Sequence, residues 1–245
     1  MMKKKQTLVL SIGTSLFLLL GIVGLKFHNE IYVWTLGDVK SLYAQAESLY
    51  QQKEYEEARK LYAKLAGIDS ASRCQYVLGD MYFQGQGREK DYDKARRLFI
   101  QAAEGGNADA QNNLGYMHTF GYGTYTSIRD ALYYIQKSAA LNNPVALYNM
   151  ATFYIEGHGF QKDLAKGAEY LTQAAQQGFS AAQFNLGRMY QLGKGVPQDN
   201  QEAKRLFQQA SAQGHQLAND FLVKMETKDS TSVNDTIFEM KMIAR

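Results

Sequence analysis

The stretch Ser180–Gly214, SAAQFNLGRMYQLGKGVPQDNQEAKRLFQQASAQG, decides how this chain folds. It reads as one complete helix–turn–helix unit, with the pair Gly193/Gly195 at the reversal. Stepping upstream from Gly187 by 36 residues at a time lands on Ala151, Gly115 and Gly79. The same step carries the glycine pair to Gly157/Gly159, Gly121/Gly123 and Gly85/Gly87. A fixed period of this kind is the signature of a solenoid, in which each unit buries its apolar face only by stacking on its neighbours.

Three further units therefore precede the first one quoted: Arg73–Gly106, Asp109–Asn142 and Val145–Gly178. Their residues have physical tasks. Leu78, Leu114, Met150 and Leu186 mark the buried centre of each first helix, and Gly79, Gly115 and Gly187 let a neighbouring helix approach closely. The paired glycines supply positive φ where each hairpin reverses. Ala102/Ala103, Ala174/Ala175 and Ala210 keep the second helices thin where units stack. Cys74 is the only cysteine and lies in register with Ala110, Ala146, Ala182 and Ala218, so it reads as a small core residue.

Around this array the chain divides further. Residues 41–66 form two short helices around Gln52–Glu54, with Leu42, Ala46 and Leu49 on one apolar face and Ala58, Tyr62 and Leu65 on the other. Residues 215–225 repeat the first-helix pattern without a second helix, as a terminal cap would. Residues 226–245 are a polar linker and a short apolar tail, IFEMKMIAR, expected to fold back on the cap or to remain loose. Residues 26–40 are an aromatic connector holding Trp34. Residues 1–25 begin with Lys3, Lys4 and Lys5, followed by 19 uncharged residues, Thr7–Leu25. At ~1.5 Å per residue that run reaches about 28 Å, enough for a bilayer core of roughly 30 Å. The lysines would stay in the cytoplasm and send the body across the membrane. A cleaved secretory signal is the competing reading, but it calls for a shorter apolar run and small residues before the cut, and Gly21–Gly24 offer no such site. Either outcome places the body of a bacterial protein in the periplasm, the first as a single-pass inner-membrane protein.

The formal charge of +3 is carried by those three lysines, leaving 24 basic residues against 24 acidic ones, so nothing argues for nucleic acid. One cysteine permits no internal disulfide and no thiolate zinc site. The chain has no H-E-x-x-H, G-x-S-x-G or Walker motif, and its GxG pairs lie between helices rather than after a strand. His118 and His158 fall in successive units without a third metal ligand at close spacing. The expectation is a non-enzymatic chain without cofactor or metal.

The recurring pattern LG-x2-Y-x2-G-x-G…A-x3-[FIL]-x2-A-A-x2-G resembles the Sel-one-like repeat family, a tetratricopeptide-related α-solenoid, over residues 73–214. Residues 41–66 resemble a single tetratricopeptide repeat. The departures are Ala151 at a glycine position, His118 at a tyrosine position and Gly167 at an alanine position. The resemblance implies an all-α, right-handed superhelical solenoid behind an N-terminal transmembrane helix. It also implies a protein partner held in a concave groove lined by the first helices. On that analogy, residues two before the buried leucine (Tyr76, Asn112, Tyr148, Phe184) and two after it (Asp80, Tyr116, Thr152, Arg188) face the groove, with Phe83 one turn on. Aromatics and arginine dominate binding hot spots. The same rings can instead pack on the next repeat, but the column as a whole favours binding. The loop Tyr122–Ser127 adds two tyrosines as a rim contact. Members of the family include immunity proteins that neutralise antibacterial effectors, notably phospholipases delivered by type VI secretion. Others are adaptors in polysaccharide export, flagellar motors or sensor-kinase control. The β-lactam-binding members carry a cysteine pair in each repeat, which this chain lacks.

Overall fold

The computed structural model describes residues 36–67 and 72–226. The apolar run 7–25, Trp34 and the tail 237–245 lie outside them. Within the described residues the regular elements are all helices, arranged in sequential antiparallel pairs. The tetratricopeptide-like unit is α1 (Leu36–Gln51) with α2 (Tyr55–Leu65). The four repeats pair α3 (Ser72–Gln84) with α4 (Tyr92–Glu104), and α5 (Ala108–Phe120) with α6 (Ile128–Ala140). They continue with α7 (Pro144–Glu156) and α8 (Leu164–Gln176), then α9 (Ser180–Leu192) and α10 (Asn200–Ala212). The helix α11 (Gln216–Glu226) closes the array. The chain is thus an all-α repeat solenoid. The connector does not run to residue 40 as expected: α1 starts at Leu36, and Val39 packs against the first core cluster, which gives the extra turn a reason to form.

Local sequence sets the boundaries. The second helices start behind Asp91, Ser127, Asp163 and Asp199, whose side chains accept hydrogen bonds from first-turn backbone N–H groups. Asn107 and Asn143 do the same for α5 and α7. Phe179 stands at the corresponding place before α9 without a side-chain cap, and its ring lies edge-on to Tyr148 at 5.5 Å instead. The first helices α5, α7 and α9 end at Gly121, Gly157 and Gly193, all left-handed with φ of 75°, 80° and 64°. The second glycine of each pair has a different task. A Cβ on Gly87 would lie 2.7 Å from backbone atoms of Tyr55 and Glu56, and one on Gly123 would lie 2.7 Å from the Tyr92 backbone. These two turns therefore rest directly on the start of the preceding second helix.

Packing inside each unit follows the expected columns: Leu78, Leu114, Met150 and Leu186 are buried, as is Cys74, whose thiol pKa burial pushes up. A Cβ on Gly79 would meet the Phe99 ring at 2.9 Å, and one on Gly187 would meet Phe207 at 2.8 Å. In the third repeat the two departures compensate each other. Ala151 occupies the first-helix glycine position, while Gly167 on the facing helix leaves the space that Ile155 fills.

Glutamines join one unit to the next, a role their spacing alone did not suggest. Gln75, Gln111 and Gln183 each donate from Nε2 to a carbonyl at the end of the preceding second helix, namely Ala66, Ala103 and Ala175, at 3.2, 3.3 and 3.2 Å. Helix ends leave carbonyls unsatisfied, and these side chains answer that need across the repeat boundary. Leu147 holds the same register position in the third repeat and is buried without the bond.

Candidate protein-binding site

The first helices carry every residue expected to line the groove, and the structure sorts them into two groups. Asn112, Tyr148, Thr152 and Arg188 are buried, each at most 4% exposed, and in this structure they offer a partner no surface. Two of these side chains reach across a repeat boundary. Asn149 Nδ2 donates to Asn112 Oδ1 at 2.9 Å, and Asn185 Nδ2 donates to the Tyr148 hydroxyl at 3.0 Å, linking α5 to α7 and α7 to α9. Burial pushes the Tyr148 phenol up to about 12, against a smaller opposing effect of the Asn185 bond. The Thr152 hydroxyl donates to the Tyr148 carbonyl, and the Arg188 guanidinium lies 4.5 Å from the Phe221 ring centroid on α11.

The remaining predicted residues are half-buried. Tyr76 packs at 6.0 Å from Phe99, and Asp80 accepts a hydrogen bond from Gln84. Phe184 is absorbed by the end of the array, with Phe207, Phe221 and His215 around its ring at 4.7–5.7 Å. Burial lowers the His215 pKa. Those rings are held by contacts inside the chain.

Phe83 and Tyr116 are the two predicted residues that the structure brings together with others. Phe83 lies 5.0 Å from Tyr92 and 5.6 Å from Tyr122. Tyr116 lies 4.5 Å from Phe120 and 5.8 Å from Tyr122, with the latter pair stacked. Tyr92 and Tyr122 approach to 5.0 Å, and Phe83 and Tyr116 to 6.2 Å. Five rings from two adjacent repeats thus form one cluster at the turn end of α3 and α5. Phe120, at its edge, is 48% exposed. A contiguous ring cluster of this kind offers apolar area at low conformational cost, the property that makes aromatics interface anchors. Tyr92 and Phe120 were missed because each stands alone in its column. Gln84, Glu156 and Leu192 share the Phe120 register, and Ile128, Leu164 and Asn200 share that of Tyr92. The rim loop divides: Tyr122 joins the cluster, while Tyr125 turns to Asp130 and His118.

The two histidines considered for metal keep different company. His118 stacks on Tyr134 at 5.8 Å with 10° between the rings, whereas His158 is exposed and faces Glu156 at 3.3 Å.

The sequence profile of the Sel1 repeat matches residues 72–107, 108–143, 144–179 and 180–215. The chain belongs to the Sel1 repeat family. A Sel1 repeat protein from Oxalobacter formigenes has a similar structure, with a TM-score of 0.70 and 29% identity over 77% of this chain and 76% of that one. Immunity protein Pa5087 from Pseudomonas aeruginosa aligns with a TM-score of 0.52 and 25% identity over 74% of this chain and 67% of its own. Among curated proteins, the ERAD-associated E3 ubiquitin-protein ligase component HRD3A of Arabidopsis thaliana is 31% identical over 87 residues. That stretch is 36% of this Sel1 repeat chain but only 13% of HRD3A.

Proposed function

We propose that this Sel1 repeat chain is a non-enzymatic scaffold that binds another protein through the ring cluster of Phe83, Tyr92, Tyr116, Phe120 and Tyr122. The partner in this reading is a secreted antibacterial effector, phospholipase-like and delivered by type VI secretion, which the chain neutralises as an immunity protein. The cluster carries the reading. It consists of rings and phenols suited to contact rather than turnover, and its outer member Phe120 is exposed in a column otherwise held by Gln84, Glu156 and Leu192. The likeness to immunity protein Pa5087 supports the specific form. The body would face the periplasm, held at the inner membrane by residues 7–25, where an incoming toxin arrives. Three lysines ahead of an uncharged 19-residue run support that placement. A second reading, as an envelope adaptor, is favoured by the match to HRD3A, which is named as a component of a larger ligase.

Growth protection tests the immunity reading. Effectors encoded beside the gene are directed to the periplasm of a sensitive strain, with and without the full-length chain. Rescue by the wild type, and loss of rescue by Phe120→Ala with Tyr122→Ala, is the expected result. No rescue from any of them, with stable recovery of the chain in an envelope assembly, would move it to the adaptor class.

A further inference from the structure

Tyr82 stands where α2, α3 and α4 meet, and its surroundings differ from those of its counterparts. The same register position holds His118, Tyr154 and Tyr190 in the later repeats. His118 stacks on Tyr134, and Tyr154 is flanked by Phe160 at 4.4 Å and Tyr170 at 5.6 Å. In the first repeat, Leu98 replaces Tyr134 and Tyr170, and Arg88 replaces Phe160. Cations surround the ring instead. Lys94 Nζ lies 4.4 Å from its centroid, the Arg88 guanidinium 5.5 Å and the Arg59 guanidinium 6.0 Å, and Arg59 also donates to the Tyr82 hydroxyl at 3.4 Å.

One cation over a ring is attracted by the π face. A second and a third add mutual repulsion within a space about one Debye length in radius, where salt screens it poorly. Among the described residues, no ion pair joins Arg59, Arg88 or Lys94 to a carboxylate, and Arg59 Nε is buried without a hydrogen-bond partner. Glu56 and Glu57 pair with Lys60, and Asp91 accepts from the Lys94 backbone N–H. Burial alone would raise the Tyr82 phenol, yet the bonds from Lys94, Arg59 and Arg88 outweigh it and set its pKa below the ordinary tyrosine value.

We propose that Arg59, Arg88, Lys94 and the Tyr82 hydroxyl form a binding site for a small oxyanion of the phosphate class. Two guanidinium groups can supply forked N–H donors, the ammonium a third positive charge and the phenol an O–H donor. A phosphate dianion matches both the charge and the donor set better than a singly charged carboxylate. The site is separate from the ring cluster and stands independently of the protein-binding reading.

The test uses the full-length chain in detergent, with inorganic phosphate replacing chloride at constant ionic strength. The measured quantities are thermal melting and calorimetric binding. A saturable rise in Tm with phosphate is expected, with at least tenfold weaker binding of acetate. Arg88→Gln, an exposed turn substitution that leaves the fold in place, should weaken binding about tenfold. Arg59→Gln with Lys94→Gln should abolish it, and Lys60→Gln should leave it unchanged. No saturable shift, an equal response in Arg88→Gln, or acetate binding as tightly as phosphate would each overturn the proposal.

Discussion

Gly115 illustrates how much one hydrogen atom decides in this solenoid. A Cβ there would fall on Ile135 and within 3.1 Å of the Ala131 carbonyl, so Gly115→Ala should destabilise the chain by about 1–3 kcal/mol in chemical denaturation. Gly167→Ala should act in the same direction against Ile155, because the third repeat keeps its small residue on the second helix. Truncating Leu186, which is buried, should cost about 2–5 kcal/mol. Gly115 and Leu186 were legible from the period, since a leucine or glycine that recurs in register marks a place where units meet the same packing demand, whereas Gly167 was read only as a departure from the alanine of its column. Tyr148 was not legible. Its column predicted a ring facing a partner, but whether the next repeat closes over a ring depends on helix spacing, which one sequence does not give. Its burial has a pH consequence. With the folded phenol pushed up to about 12 and an ordinary value of 10.0 when unfolded, neutral Tyr148 stabilises the fold fully below pH 10. Between pH 10 and about 12 the unfolded chain loses the proton first, so up to about 2–3 kcal/mol is lost. Tyr62, also buried, is shifted in the same direction. Denaturation curves across that window should show a shallower alkaline decline for Tyr148→Phe than for the wild type.

At the scale of the helices, the turns were legible and the joints were not. Paired glycines announced every reversal of the four repeats, and Asp or Asn caps fix where several helices begin. The start of α1 was placed five residues late because its first turn carries only a weak apolar pattern, and its packing against the core became visible only in three dimensions. The glutamine column was overlooked because glutamine in a helix usually signals a solvated face. Gln183 is buried, donates to the Ala175 carbonyl and accepts from Gln213 at 2.8 Å. Gln183→Ala should therefore cost about 1–3 kcal/mol by leaving those groups unmet in a cavity. Gln183→Leu, which copies Leu147 of the third repeat, should cost less because it refills the space. Comparing the two melting temperatures separates the lost hydrogen bonds from the lost volume.

Over the whole molecule, Asn112 and Tyr148 link adjacent repeats while Phe184 and Arg188 pack on the closing helix. What the fold gathers on one side is the ring cluster at the turn end of the first two Sel1 repeats. The repeat architecture could be read from residue spacing, because stacking similar units makes position predictable. The cluster could be read only in part, because it joins rings from different registers of two repeats and a turn. The most direct test is the Phe120→Ala, Tyr122→Ala double substitution in the full-length chain, measured for effector protection and for melting temperature together. Phe120 is exposed at the edge of the cluster and Tyr122, half-buried, touches the other four rings, so protection should be lost while the melting temperature falls but the chain stays folded at the assay temperature. Protection that survives the double substitution, or falls only in step with stability, would contradict the assignment of the cluster as the binding surface.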